Sequence, residues 1–490
     1  MAAGDKVPSI DIRVIKPVLR VYALTYLAST GQRILSSQRL LWRLDIPVRD
    51  KLQAIATILK SGTEINRFPT AAALIIAGAT SVPRLVIWAI KHVFAAGGWR
   101  VLSARLQRQL RALCTFLFAW LAFDLLNNDE RWPPQTARST ANATYANRSD
   151  PTILDSSDFP SGEAQPKYAG KTIELTLFAA CRALDVLAIY AWTKTRSRKW
   201  HPELRTPRLA RLVKSMADTC IFASSNTIIM YAWFYSPHRL PKAYHKWISS
   251  AAQLDPRLLQ ALRLCRQGDF VYGQDTGWST LLQGLCDDLG LPREWSNPAK
   301  TAPIPCELYH CGAGRSCEVH ALSRWSRGFI FAFKLYLPLQ LLARIQRLNV
   351  KRVLAAFTTA ARYSAFLATF ITLFYYSVCL SRTRVGPRLF SSKTVTPQMW
   401  DSGLGVLAGC LTCGWSILIV PPQQRQEFAF FVAPRALATI MPRVYNQKHQ
   451  RREQFIFATS ATILLTAVKT GTQQTVRGVF GRMLSNVMQE

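Results

Sequence analysis

Between residues 305 and 325 the chain reads PCELYHCGAGRSCEVHALSRW. Cys306, His310, Cys317 and His320 form the pattern C-x3-H-x6-C-x2-H, with Cys311 to spare. Two thiols and two imidazoles so close in sequence can close a tetrahedral shell around a structural zinc ion. The central spacing is shorter than that of the usual zinc finger. Two other readings therefore stand beside zinc: a Cys306–Cys317 disulfide, if the segment faces an oxidising space, and unliganded side chains in a capped loop.

A second pattern concerns charge. ELTLFAACRAL (174–184) and EFAFFVAPRAL (427–437) share a Glu, a Phe and an Ala-x-Arg-Ala-Leu at the same spacing. Each copy sets an arginine, Arg182 or Arg435, in apolar surroundings, with Glu174 or Glu427 at its start. An arginine near a helix end can snorkel to lipid phosphate; one held inside the protein marks a polar cavity or contact. Asp185 follows Arg182 at the spacing of a helical ion pair, whereas the second copy has Ala438 there. No Gly-rich phosphate loop, nucleophile elbow or carboxylate pair with a partnered histidine accompanies these residues, so the expectation is a protein that is not an enzyme.

The elements that must position these groups are apolar. In a chain of 490 residues, 49% hydrophobic, the apolar residues gather in runs such as TAAALIIAGATSV (70–82), LCTFLFAWLAF (113–123) and SAFLATFITLFYYSVCL (364–380). Runs near bilayer length with few charges read as membrane helices. The formal charge of +33, from 61 basic and 28 acidic residues, would suit a nucleic-acid binder if it formed one face. It lies instead in loops flanking apolar runs, as in KTRSRKWHPELRTPRLARLVK (194–214), which is the pattern of a polytopic membrane protein and excludes nucleic acid as the expected partner.

Laying the two halves of the chain side by side extends the repeat. RVYALTYL (20–27) faces KLYLPLQL (334–341), RFPTAAAL (67–74) faces RYSAFLAT (362–369), and IFASSNTIIM (221–230) faces IFATSATILL (456–465), all in preserved order. The first segment of each half carries a central basic residue, Arg20 or Lys334, and suits a helix lying in the interface. Eight spans are then expected, at 68–83, 110–126, 173–192, 219–235, 364–380, 403–420, 428–441 and 455–468. With these spans one side receives loops 84–111, 194–214, 382–393 and 443–453, which hold 22 Lys and Arg against two acids. The opposite loop 127–174 holds five basic and seven acidic residues, the asymmetry that orients membrane proteins. The fold class expected is all-α: a polytopic helical membrane protein of two tandem four-span units, each preceded by an interfacial helix. The first unit would span 1–250 with a disordered loop at 127–171. A linker with the Cys/His segment would follow at 251–325, then a second unit at 326–470 and a polar tail at 471–490.

CELYHCGAGRSCEVHALSRWSRGFIFAFKLYLPLQLLARI (306–345) resembles the cysteine-rich segment of the transmembrane protein 135 family, also described as a peroxisomal membrane protein. There Cys, His and Cys precede a Lys-x-Tyr-x-Pro-Leu stretch; here these are Cys306, His310, Cys317, Lys334, Tyr336, Pro338 and Leu339. IIMYAWFYSPHRLPKAYHKWI (228–248) and FFVAPRALATIMPR (430–443) resemble fungal members of that group. In animal members the cysteine-rich segment lies near the amino terminus, whereas here it is at mid-chain. The family is similar to the four-span Tim17, Tim22 and Tim23 group. The resemblance implies a multi-pass protein of the peroxisomal or mitochondrial membrane with a part in lipid metabolism and organelle dynamics. Its partners would be the lipid bilayer and other organelle membrane proteins. The alternative is a membrane transporter or lipid conduit with a site between the two units. No cofactor is expected beyond the structural zinc left open above.

Overall fold

The computed structural model describes residues 12–37, 47–93, 103–128, 168–197, 207–345, 349–391, 393–470 and 476–488. Most of the loop expected to be disordered, from 129 to 167, lies outside these residues. Among the described residues the fold is all-α, apart from one two-residue antiparallel bridge. Contacts divide the chain into two compact units, Met1–Arg205 with Pro442–Glu490, and Thr206–Met441.

In the first unit, α1 (Ile12–Ser36) packs on α2 (Val48–Gly62) and α3 (Phe68–Ala79), and α4 (Ser81–Val93) continues beyond Thr80. Pro69 sits in the first turn of α3, where its missing N–H leaves no hydrogen bond unmade. Ser103 caps α5 (Ala104–Asn127) by accepting from the Leu106 amide at 3.3 Å. α6 (Ile173–Ser197) follows the first bridge strand, Tyr168–Ala169, which pairs with Tyr445–Asn446. Late in the chain, α16 (Gln450–Thr470) packs on both α5 and α6. Small side chains make that approach close: Ala119, Ala179, Ala183 and Ala458 are buried around the Phe123 and Phe457 rings, whose centroids are 5.8 Å apart.

In the second unit, α7 (Pro207–Tyr235) packs on α14 (Gly405–Cys413) and α15 (Pro422–Ile440), and α13 (Val350–Leu380) packs on α12 (Cys317–Leu342) and α14. Four shorter helices belong to the same unit: α8 (Lys242–Ala252), α9 (Pro256–Gln267), α10 (Ser279–Leu289) and α11 (Cys306–His310). One continuous core holds Trp233 and Phe234 of α7, Leu258 of α9, Leu282 of α10, Leu308 of α11 and Phe374 of α13. Fully burying each such side chain stabilises by about 1.5–3 kcal/mol.

This division differs from the tandem one expected from sequence. α7 belongs with the later helices and α16 with the earlier ones, because each buries its apolar face against helices from the other half of the chain. Residues 251–325 are not a linker; their apolar positions recur at helical spacing and fill the second unit's core. The tail also folds: α17 (Gly478–Met488) buries Gly481, Val487 and Met488.

Among the described residues four stretches are long and apolar enough to cross a membrane: Phe68–Ile90, Ala104–Asn127, Val350–Leu389 and Pro397–Ile419. They overlap four of the eight expected spans. The other four fall in α6, α7, α15 and α16. The two helices expected to lie in the interface, α1 and α12, are not among the four stretches.

Close backbone approach fixes the α7 contact. A Cβ on Gly414 would lie 2.5 Å from the Ala223 Cα, so Gly414→Ala must push α7 away. It should cost about 1–3 kcal/mol, typical of overpacking. Thermal unfolding of the detergent-purified protein should show a lower midpoint, while Gly31→Ala, with no atom within 4 Å of the added Cβ, should not lower it.

Candidate functional site

Local turn chemistry builds the 306–320 segment. Cys306 and His310 stand four residues apart, on one face of α11. Cys311 then takes a left-handed conformation (φ 48°), followed by Gly312 (φ 83°) and Gly314 (φ 85°). This reversal lets the His310 Nδ1 meet the Gly314 carbonyl oxygen at 2.7 Å. A carbonyl only accepts, so Nδ1 carries a proton, and in the neutral ring Nε2 is then the nitrogen with the lone pair. Ser316 caps α12, accepting from the Val319 amide at 3.3 Å, and Cys317 is the first residue of that helix.

The ligand atoms of His310, Cys317 and Cys379 lie within 4.8 Å of one another, and all three residues are buried. Cys379 Sγ is 3.6 Å from His310 Nε2. This corrects the set read from sequence. His320 does not converge with the thiols: its ring stacks on His310 with centroids 4.5 Å apart and meets Tyr375 edge-on. Burial, reinforced by Arg324, pulls the His320 imidazole down to about 3, so it stays neutral. Cys306, half-buried, is likewise not one of the three residues so grouped. The cysteines are free thiols, Cys306 and Cys317 included. Cys379 escaped the sequence reading because it stands in an apolar run, distant in sequence, where a thiol reads as packing.

A buried ionic network lies in the same unit. The α13 helix widens into a π-turn at Ser381–Val385, and a kinked turn, Trp400–Leu404, broken at Gly403, leads into α14. Such turns re-aim side chains and recur at functional sites. One holds Arg382 and the other Asp401. Arg382 Nη2 donates to Asp401 Oδ2 at 2.9 Å and to the Ile304 carbonyl at 2.8 Å. Tyr309 donates its hydroxyl to Asp401 Oδ1 at 2.9 Å, Tyr272 donates to Oδ2, and the Arg382 guanidinium lies 4.0 Å from the Tyr309 ring centroid. Gly403 (φ 152°) closes the second turn, where any Cβ would meet Arg266 Nη1 at 2.7 Å. The sequence had placed Arg382 among solvated loop cations; it is 9% exposed and carries the only charge given to Asp401 by the described ion pairs.

The repeated arginines do not share an environment. Arg182 is buried, donates to the Arg477 carbonyl at 3.3 Å and lies 5.6 Å from the Phe178 and Phe480 ring centroids. Asp185 pairs with Arg477, which approaches the carboxylate of α6 from outside that helix. Glu174 pairs with Arg443 at 3.1 Å. In the second unit Arg435 is half-buried and folds back along its own helix, donating to the Phe431 carbonyl and lying 3.8 Å from that ring's centroid. Glu427 is half-buried in α15.

The second unit also holds a cavity of about 410 Å³, within the range of about 300–1,000 Å³ of sites that take small molecules. Its walls are aromatic and aliphatic, including Trp233, Tyr244, Phe366, Phe370, Phe374 and Phe428. Among the described residues no carboxylate, lysine or arginine lines it.

Taken together these are the features of a helical protein with four helices able to cross a membrane and a second unit that holds an apolar cavity, a nitrogen–sulfur cluster and a buried ion pair. No protein-family model matches the chain, and no curated protein or solved structure does either.

Removing one partner of a buried ion pair strands the other, at a cost of about 3–5 kcal/mol. Asp401→Ala should therefore lower the unfolding midpoint far more than Glu318→Ala, whose bridge to Arg384 is half-exposed. Replacing both charges, Arg382→Met with Asp401→Leu, should recover part of the loss. A smaller pH effect sits at the start of α9. Burial raises the Asp255 carboxyl, but hydrogen bonds from the Arg257 side chain and backbone outweigh it and hold the group below its usual value. A depressed carboxyl stabilises the fold above its unfolded-state pKa of about 3.9 and loses that contribution as pH falls through the lower folded value. Acid unfolding of Asp255→Asn should accordingly be less steep below about pH 4 than that of the unaltered chain.

Proposed function

We propose that the chain is a non-enzymatic integral membrane protein of the peroxisome or mitochondrion, that it takes part in lipid handling, and that its second unit holds one apolar lipid chain. The observation that carries this reading is the cavity. Its walls offer dispersion contacts and aromatic faces with no charge to neutralise, and a hydrocarbon chain meets those terms where a polar metabolite does not. Tyr375, which reaches the wall, spends its hydroxyl on the Ala252 carbonyl at 2.8 Å, and Asn226 donates to the Phe222 carbonyl at 2.9 Å. These wall polar groups are thus occupied within the protein.

The same proposal includes eight spans, four to a unit. Its support is the distribution of arginine and lysine between alternate loops together with the packing of the fourth segments. α16 lies on α5 and α6, and α7 lies on the equivalent pair, α14 and α15. In our reading the chain is a duplication whose two copies have exchanged their last helix, a form of domain swapping within one polypeptide. Its partners would be the bilayer and other proteins of the same membrane; a tagged copy should coincide with peroxisomal or mitochondrial markers on imaging, and with neither the assignment of the membrane fails.

Lipid occupancy is tested with a phosphatidylcholine whose acyl chain carries a photoreactive diazirine. The unaltered protein in detergent should crosslink through residues of α7, α13 and α15. Leu367→Trp and Ala251→Phe, which place new rings in the cavity, should lower crosslinking several-fold without lowering the unfolding midpoint to the same degree. Equal crosslinking by both variants would remove the cavity from the account.

A further inference from the structure

We propose that His310, Cys317, Cys379 and Cys306 form a closed zinc site that fastens the 306–320 segment to the end of the α13 membrane helix. The inference is independent of lipid binding.

Three of the donors are already assembled. An imidazole nitrogen and two thiol sulfurs lie mutually within 4.8 Å, at most about an ångström wider than the roughly 3.5–3.8 Å between adjacent corners of a zinc tetrahedron, whose bonds run about 2.0–2.1 Å to nitrogen and about 2.3 Å to sulfur. The imidazole is held for the task. Its Nδ1 donates to the Gly314 carbonyl at 2.7 Å, the outer contact that orients a metal-binding histidine and leaves Nε2 free for the ion. That Nε2 faces the Cys379 sulfur at 3.6 Å. Cys306 supplies the fourth corner. It stands one helical turn before His310 on the same face of α11; its sulfur lies outside the assembled group of three and moves in to complete the shell when the ion binds.

The donor set selects the metal. Three sulfurs and one nitrogen, enclosed by protein and without a carboxylate, suit zinc in a structural role; magnesium and calcium require oxygen ligands. On binding, each thiol gives up its proton to solvent and each thiolate donates an electron pair to the ion, so no oxidant or reductant takes part. His320 is outside the shell. Its ring packs flat on His310 with centroids 4.5 Å apart, and it is not one of the three grouped donors.

The full-length chain, purified in detergent without added metal or chelator, should contain roughly one zinc per molecule by elemental mass spectrometry. Cobalt(II) exchanged into it should show thiolate charge-transfer bands and the intense visible bands of a tetrahedral centre. Cys379→Ser should lower bound zinc at least tenfold, whereas Cys410→Ser, a buried thiol elsewhere in the unit, and His320→Phe should keep it. If Cys379→Ser does not fold, alkylation of the unaltered chain replaces it: zinc should shield Cys306, Cys317 and Cys379 from a maleimide, and a chelator should expose them together. Absence of zinc with an octahedral or silent cobalt spectrum would overturn the proposal. So would retention of zinc by Cys379→Ser, or an intact mass two protons lower that reveals a Cys317–Cys379 disulfide.

Discussion

The second unit depends on a carboxylate that has no access to water. Asp401 is 1% exposed, and an ionised carboxylate in such surroundings persists only when it is paired and fully hydrogen-bonded. Its partners come from separated parts of the chain: Arg382 from the end of α13, Tyr309 from α11 and Tyr272 from the loop after α9. Meeting all of them at one point draws the short helices onto the ends of the apolar ones. Tyr272 contributes twice, since its hydroxyl oxygen also accepts from the Ile304 amide at 3.2 Å. Arg324 does comparable work nearby: it donates to the carbonyls of Ala252 and Gln253 at 3.1 and 3.0 Å, at the C-terminal end of α8, where a cation offsets the helix dipole. It also lies 4.3 Å from the Tyr375 ring centroid.

Placing these groups requires departures from regular geometry. A π-turn, a kink at Gly403 whose φ of 152° strains any L side chain, and a left-handed Cys311 are all found around the network and the nitrogen–sulfur cluster. Backbone strain gathered in one place costs stability there and is retained where it aims side chains. The cavity is made differently, by aromatic side chains of α7, α13 and α15 that meet edge to face, as Phe366 and Phe428 do at a centroid distance of 5.4 Å.

Much of the helical content was legible in the sequence, because apolar runs of bilayer length admit few alternatives to helix. Phe68–Ile90 and Ala104–Asn127 follow directly from such runs. The partition into units was not legible. Periodicity says which face of α7 or α16 is apolar but not which half of the chain will cover it. The 251–325 segment misled for a related reason: its charges dominate the composition, while Leu258, Leu262, Leu282 and Leu285 carry the core signal at helical spacing. At the candidate site, His310 and Cys317 could be read from local spacing. Cys379, Arg382 and Asp401 could not, since each lies in or beside an apolar run where thiols read as packing and charges read as solvated. Arg182 and Arg435 show the reverse limit, for a repeated sequence position does not guarantee a repeated environment.

The central claim is that one buried charge holds the short helices of the second unit to its apolar helices. Hydrogen–deuterium exchange of the detergent-purified chain carrying Asp401→Asn tests it most directly, because the amide keeps the carboxylate's shape and removes its charge. The account predicts that amides of α9, α10 and α11 and of residues 300–305 lose protection together with those of 381–404. Loss confined to the few residues around 401, with the short helices as protected as before, would contradict it.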